Sequence, residues 1–533
     1  MEVIGKLSLL EPTDSLQSAE SPSHGTPAPK SGIGGFVNDS GDASVAMGAQ
    51  EAAVPARAAS AQEGTTLKKN ALGVWEIAFF VIAASAPVFV INVAFTAYQL
   101  GGIGAPSGYL IGGVFLLFFA IAFTAMSKYI KSAGAFYAYI CRGMGKLVGG
   151  GAAYIALFAY SILNIGFYGA FAYFAQSTFK DLLHVNVPWQ VWIFVGIAIV
   201  AFLGHRSVNL GANLLLIFLT AEILILAALA VAVLIKNPGN MSVTPFKPSN
   251  SLFAPGVAVI LIWGFGAFTG FESTVIYAEE ARRPERTIPR ATYLAVGFLA
   301  LFYCFTVWIA SVAFGVSGVL KMVQGPNASD LYFTMSRQFL GYWAFIVMRI
   351  LILTSILACQ IGFHNAVARY GFALGREGLL PKALGRSHPK YQSPYVASAA
   401  QVLIAVLAVL LVIVLGGDPY IHLYVWLYGP GVSALVLTQF LTALAVIGYF
   451  WRDRRGHSVF RVVIAPLIGA FGLGYSFYLI LTNYQQMTGY TSILKNLPFI
   501  LVVPVIFAIG VAFAYRLRQK SPEQYALLAT DYA

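Results

Sequence analysis

The sequence predicts an all-α polytopic membrane protein with twelve transmembrane helices. Of its 533 residues, 58% are hydrophobic and only 10% are charged, whereas soluble domains carry about 25% charged residues. Between Ala71 and Arg518 the chain consists of apolar runs of about 20 residues, each long enough to cross the bilayer as a helix. A soluble helical protein would show polar stripes, but the stretch from Leu214 to Ile235 contains a single charge, Glu222.

The elements follow in order along the chain. Residues 1–66 are rich in Ala, Ser, Gly and Pro and contain no apolar run, which predicts a disordered N-terminal tail without the features of a signal peptide. Residues 67–520 form the membrane domain, and residues 521–533 form a C-terminal tail. The twelve predicted spans lie near residues 73–99, 107–127, 147–179, 189–204, 210–235, 253–278, 292–316, 339–367, 395–416, 421–450, 462–482 and 496–516. The third, eighth and tenth runs are longer than a bilayer requires, so we expect them to extend beyond it as helix.

The loops between the spans alternate in charge. With the N-terminus inside, the flanks and loops on that side hold 23 Lys and Arg residues, and those on the other side hold six. Retained positive charge marks the cytoplasmic side of a membrane protein. The contrast supports an even number of spans, with both termini in the cytoplasm.

Two spans contain residues that interrupt a membrane helix at mid-depth. The first has Ser85, Ala86 and Pro87, and the sixth reads WGFGAFTGFE from Trp263 to Glu272. Proline also fits an ordinary kink, and glycines also fit close helix packing. Because the two interruptions lie five spans apart, they predict a five-plus-five inverted repeat with broken helices 1 and 6.

Broken membrane helices expose backbone groups that can bind a polar solute. The amides that open the outer half of the first helix, around Pro87 and Val88, would present a positive dipole to a carboxylate. Carbonyl groups near Trp263 and Gly264 would face an ammonium group. The pattern therefore predicts that a zwitterion binds between the two breaks.

Four segments carry a family resemblance: GFGAFTGFESTVIYAEEARRPERTIPRA from Gly264, GAPSGYL from Gly104, AGAFYAYICRGMG from Ala133 and ARYGFALGREGLLP from Ala368. By their order along the chain and their positions relative to the spans, these segments resemble those of the amino acid-polyamine-organocation superfamily, and within it bacterial amino acid permeases. The resemblance covers about residues 70–518. It implies the five-plus-five fold with two peripheral helices, and transport by alternating access.

The resemblance also implies a set of site residues. Ser85, Ala86 and Pro87 match a small-residue segment that binds carboxylate in the family, but Pro87 has no amide, so one expected donor is missing. In the sixth span, four residues match positions at the substrate pocket and gate: Gly266, Phe268, Thr269 and Glu272. Tyr160 in the third span is a further candidate for a pocket hydroxyl, although such an aromatic residue is also typical of packing.

Glu222 is the most deeply placed charge in the chain, about 18 Å from either end of the fifth span. Counted from Asn209, it occupies the position at which related proton-coupled permeases carry a lysine in place of a sodium ion. Burial favours the neutral form of a carboxyl, so Glu222 could exchange protons during transport; alternatively, it stays protonated and hydrogen-bonds to Thr354 or Ser355. Glu272 is costly inside a membrane unless it is paired, which favours a gating role over a structural hydrogen bond.

Other classes of function lack their residues. The sequence contains no phosphate-binding glycine loop of the kind found in ATPases. Its net charge of +12 is not accompanied by the basic runs of a nucleic-acid-binding protein. The three cysteines are scattered, so no metal site is expected. No group of serines, histidines and acidic residues converges as in a catalytic site, and neither an enzymatic activity nor a cofactor is expected. Arg349, near the outer end of the eighth span, is expected to extend its head to water.

We therefore expect a secondary active amino acid permease of the cytoplasmic (inner) membrane, driven by protons or by exchange. Its partners would be a small solute, the lipid bilayer and protons. A polyamine importer is the alternative, and it would need two or more unpaired carboxylates facing the pocket, for which the core offers mainly Glu222 and Glu272. An alternative of another class is an amino acid sensor or channel.

Overall fold

A computed structural model of the chain describes residues 72–529, apart from residues 86, 131–134, 206–207, 276 and 278–279. The predicted N-terminal tail and the last four residues of the C-terminal tail lie outside the described residues. Where the structure describes the chain, it consists of helices joined by turns, and its one extended pairing is an isolated parallel bridge between Leu72 and Ala281. Nine helices in this part are long and apolar enough to cross a membrane.

The helices are labelled in chain order. Those of the first half are α1 (Val74–Ala84), α2 (Val90–Gly101), α3 (Ala105–Met126), α4 (Ala135–Met144), α5 (Lys146–Leu183), α6 (Trp189–His205) and α7 (Val208–Lys236). Those of the second half are α8 (Val257–Gly266), α9 (Pro284–Val323), α10 (Leu331–Phe339), α11 (Tyr342–Arg376), α12 (Tyr395–Val414), α13 (Trp426–Phe450), α14 (Ala465–Thr482), α15 (Gln485–Thr488), α16 (Ile493–Lys520) and α17 (Pro522–Ala526). Short 3₁₀ turns lie at Pro87–Phe89 and Phe271–Val275, and π-helical segments at Pro419–Val425 and Phe460–Ile464 lead into α13 and α14.

The observed helices overlap every predicted span. The first and sixth spans are each divided into two pieces, and the fourth is the 17-residue helix α6. The seventh span differs most, because α9 covers 40 residues and extends the prediction at both ends. It is kinked at Gly315, whose φ of 72° is not helical, so the predicted end at residue 316 lies at this kink. Its polar first turns begin at Pro284, a residue that fits the first helical position because no amide is needed there. Hydropathy marks only the apolar middle of such a helix.

Close packing of α3 against α8 positions the first part of the sixth span. A Cβ atom added to Gly264 would lie 2.3 Å from the carbonyl oxygen of Gly108, and one added to Gly108 would lie 2.2 Å from the carbonyl oxygen of Ile260. Only glycine allows two membrane helices to approach so closely. Gly264 therefore holds α8 directly against α3.

Candidate functional site

Among the described residues of the first break, the backbone amides are already hydrogen-bonded or absent. Helix α1 ends at Ala84, and the N–H of Ser85 still donates to the Val81 carbonyl at 3.1 Å. Pro87 has no N–H, and the N–H of Val88 donates outside its helix, to Glu222 Oε2 at 3.2 Å. The Ser85 carbonyl accepts a hydrogen bond from the Tyr303 hydroxyl at 2.6 Å. Ala86, which the sequence also placed in this site, lies outside the described residues.

The second break begins later than the sequence suggested. Helix α8 continues through Gly266, and the Trp263 carbonyl accepts from the Ala267 N–H at 3.1 Å, so that carbonyl is occupied. Gly264 does not interrupt the helix because packing against α3 supports it. The chain turns at Gly270, whose φ of 111° is a conformation that glycine adopts without steric cost. The 3₁₀ turn Phe271–Val275 follows.

A cavity of about 30 Å³ lies between the two breaks. Such a volume holds water but is too small for an amino acid. Three predicted residues, Ser85, Gly266 and Thr269, line it. The described lining contains no Asp, Glu, Lys, Arg or His and consists of Ser85, Val90, Val93, Phe167, Gly266, Ala267, Thr269, Tyr303, Cys359, Phe363, Tyr424 and Tyr428.

Glu222 connects three membrane segments directly behind this cavity. Its side chain is 2% exposed, and Oε2 accepts hydrogen bonds from Ser355 Oγ at 2.7 Å and from the Val88 N–H. The carboxyl of α7 therefore joins the first break to α11. Cys359 lies one turn beyond Ser355 on α11 and lines the cavity. Thr354, the other predicted partner, instead donates to the Leu351 carbonyl.

Tyr160, Trp263 and Phe268, whose side chains the structure describes, are not among the residues that line the cavity. Tyr160 packs against Phe363 and Tyr370, with ring centroids 5.7 and 5.5 Å away. Trp263 stacks on Tyr428 at 5.2 Å, and the Phe268 ring meets the edge of Tyr303. The structure does not describe the Glu272 side chain.

Several lining residues were missed at the sequence level. Tyr424 and Tyr428 belong to the tenth span, where Tyr420, Tyr424 and Tyr428 recur every four residues and so share one helical face. That recurrence was a usable signal. No comparable pattern marks Tyr303.

Arg349 is buried and paired, which corrects the expectation that it extends to water. Its Nη2 lies 2.7 Å from Asp181 Oδ2 and 3.1 Å from Asp330 Oδ1, and its guanidinium lies 4.0 Å from the centre of the Phe333 ring. The residue is 4% exposed. Two carboxylates and an aromatic face replace the water that the head group would otherwise need. We call this group the Arg349 cluster.

Near the other end of α11, Arg369 forms a second buried ion pair. Its Nη2 and Nε lie 2.8 and 2.9 Å from Glu280 Oε1, and both side chains are less than a tenth exposed. The Glu280 carbonyl accepts from the Leu72 N–H at 3.0 Å, so the chain that enters α1 is held to the same place. We call this group the Arg369 pair. It lies about 30 Å along α11 from the Arg349 cluster, with the cavity wall between them.

Comparison with known proteins agrees with this architecture. The model of a family described as amino acid permease matches residues 72–513. The low-affinity putrescine importer PlaP of Escherichia coli is 26% identical over 387 residues, covering 69% of this chain and 79% of the relative. The branched-chain amino acid permease BcaP of Bacillus subtilis is 22% identical over 360 residues, covering 64% of this chain and 74% of the relative.

These relatives are named as transporters rather than enzymes, and they confirm the resemblance seen in the sequence. The long apolar helices agree with a polytopic membrane protein. The chain is a multi-pass membrane transporter that belongs to the amino acid permease family.

Proposed function

We propose that the protein is a secondary active transporter that carries amino acids or related amines across the cytoplasmic membrane by alternating access. We further propose that it is coupled to protons through Glu222. The observation that carries this proposal is the pair of hydrogen bonds by which one buried carboxyl joins the first break to α11. A carboxyl in this place can respond to a proton and act on a helix that must move.

The proposed architecture has twelve spans. The nine long helices, α6, and the two broken spans add up to this number. The breaks lie five spans apart, which supports a five-plus-five inverted repeat followed by two peripheral helices. The excess of Lys and Arg in alternate loops supports cytoplasmic termini. In this arrangement the first, second, sixth and seventh spans rock against the others.

Glu222 would couple the proton to this movement through hydrogen-bond strength. An ionised carboxylate accepts hydrogen bonds worth about 1.5–3 kcal/mol each, whereas neutral partners give about 0.5–1.5 kcal/mol. Ionised Glu222 therefore holds the Val88 N–H of the moving span to Ser355 on α11. Protonation weakens both bonds and lets the first break move.

The two groups on α11 would act as gates at opposite ends of the cavity. In the Arg349 cluster, the contact that can open is the one from α11 to Asp330, which follows the seventh span, because Asp181 on α5 stays with α11 in this arrangement. The Arg369 pair joins α11 to the segment after the sixth span. Alternating access requires that one of them separates while the other remains closed. Both are formed in this structure, and the cavity between them is small.

Reconstitution into proteoliposomes tests the proposal. Labelled amino acids and amines are offered while the pH and sodium gradients are varied independently. Wild-type uptake is expected to rise with an inward proton gradient, and Glu222→Gln is expected to lose that dependence. Glu523→Gln, on the exposed surface of α17, is the matched control. Unchanged gradient dependence in Glu222→Gln would remove the coupling role, and binding without uptake would favour a sensor.

A polyamine importer is the second candidate, because PlaP is named a putrescine importer. A diamine carries two positive charges, each of which needs an anionic or carbonyl partner in a membrane. Among the side chains that the structure describes, Glu222 is the carboxylate that is hydrogen-bonded beside the cavity lining, to Val88 and Ser355. This distribution makes a diamine the weaker candidate.

A further inference from the structure

We infer that the cavity binds an ammonium group attached to an apolar body, and that its described residues provide no binding site for an α-carboxylate. The preferred substrates of the protein are then monoamines rather than α-amino acids. This inference rests on the proposed transport function and specifies its substrate class. Three independent features of the cavity carry it.

The first feature is the shortage of free hydrogen-bond donors among the described residues of the first break, Ser85, Pro87 and Val88. A carboxylate in a broken membrane helix needs free backbone N–H groups. Ser85 uses its N–H within α1, Pro87 has none, and Val88 gives its N–H to Glu222. The 3₁₀ turn Pro87–Phe89 engages the next amides in i to i+3 bonds. The protein's own carboxylate therefore occupies the position that a substrate carboxylate would take.

The second feature is the charge around the cavity. Neither Lys, Arg nor His occurs in the described lining. Glu222 is bound to Val88 and Ser355, which lie next to lining residues on α2 and α11. When ionised, it repels a second carboxylate and attracts an ammonium group.

The third feature is the aromatic content of the wall. Five of the twelve lining residues are aromatic, and the faces of such rings attract cations: Phe167, Tyr303, Phe363, Tyr424 and Tyr428. Val90, Val93 and Ala267 complete an apolar surface. A single ammonium group on an alkyl or aryl body matches this wall, whereas a diamine would place its second charge against apolar side chains.

Substrate pairs that differ only in the carboxylate test the inference with wild-type protein. Proteoliposomes are offered 3-methylbutylamine against leucine, phenethylamine against phenylalanine, and putrescine. The expected result is that each monoamine exceeds its paired amino acid in kcat/KM by at least about tenfold. Equal or faster uptake of the amino acids, or of putrescine, would overturn the inference while leaving the transport function intact. If no compound in the panel is taken up, the transport function itself fails.

The variant Pro87→Ala tests the donor argument directly, because it restores one N–H at the break. Uptake of the amino acid relative to the amine is expected to rise by about tenfold, the effect of one hydrogen bond to a charged group. Pro504→Ala restores an N–H within α16, away from the cavity, and should leave the ratio unchanged. An unchanged ratio in Pro87→Ala would overturn the argument.

Substrate protection provides a readout that does not depend on how Pro87→Ala folds. Cys359 lines the cavity, so a bound substrate should shield it from a small thiol reagent. In protein whose Cys141 and Cys304 are replaced by alanine, amines are expected to slow labelling of Cys359 at concentrations at which the paired amino acids do not. Equal protection by both would contradict the inference.

Discussion

Removal of the Arg369 guanidinium should open one end of the cavity. In Arg369→Ala, Glu280 remains in a site where its side chain is 8% exposed and loses a partner at 2.8 Å. At an effective dielectric constant of 20, the direct attraction over this distance is about 6 kcal/mol before desolvation is subtracted. Breaking such a buried pair costs about 3–5 kcal/mol.

This energy is lost only from the state in which the pair is formed. A loss of about 3 kcal/mol shifts the balance between closed and open states by more than about 100-fold. Cys359 in the cavity reports the shift, with Cys141 and Cys304 replaced by alanine. We expect an impermeant thiol reagent, applied from the side of the N-terminus, to label Cys359 about 100-fold faster in Arg369→Ala than in the parent protein.

Two further variants separate gating from general damage. The double variant Arg369→Gln with Glu280→Gln leaves no uncompensated buried charge, so it should recover much of the melting temperature that Arg369→Ala loses. Arg369→Lys keeps the charge but not the two-point contact, and should fall between alanine and wild type. If Arg369→Ala is folded and its Cys359 is labelled at the parent rate, the Arg369 pair does not close the cavity.

Three other substitutions have expected outcomes. Arg349→Ala should cost less stability than Arg369→Ala, about 1–3 kcal/mol, because its two aspartates are 37% and 40% exposed and water can solvate them. A larger loss of melting temperature than in Arg369→Ala would contradict this expectation. The opening itself should appear as faster Cys359 labelling from the opposite side of the membrane. Gly264→Ala should lower the melting temperature through an overpacking cost of about 1–3 kcal/mol or more, whereas Gly297→Ala, whose added Cβ meets nothing within 4 Å, should not. Ser355→Ala removes one hydrogen bond to ionised Glu222, worth about 1.5–3 kcal/mol, so uptake at a fixed pH gradient should fall by about tenfold or more. Ser355→Thr keeps the hydroxyl and should remain near wild type.

The spans were predictable because a bilayer requires each crossing segment to be apolar and long. Their ends were less predictable, since hydropathy does not register polar helical turns such as those that begin at Pro284. The first break was visible because Pro87 cannot continue the hydrogen-bond ladder. The second was placed too early, because the Gly264 signal reflects contact with Gly108 on α3 and not an interruption.

The sequence predicted how deeply the site residues lie in the membrane, but not which residues they contact. The position of Glu222 within the fifth span indicated a buried carboxyl, and Ser355 was among its predicted partners. The Val88 amide was not predicted, because sequence spacing does not show which helix faces a given side chain. The same limit explains Arg349, whose partners Asp181 and Asp330 come from two separate segments.

The two proposals meet at Glu222, and this makes selectivity and coupling inseparable. While it is ionised, its carboxylate uses the Val88 N–H and opposes a second carboxylate in the cavity. Protonation of Glu222 removes the repulsion between its carboxylate and a substrate carboxylate, and it weakens the hydrogen bond to Val88. The same event therefore frees the first break and allows an amino acid to bind less unfavourably. Substitution of Glu222 should therefore change substrate preference and proton dependence together. Substitution of Arg349 or Arg369, which lie at the ends of α11, should change opening and leave the preference between amine and amino acid as it was.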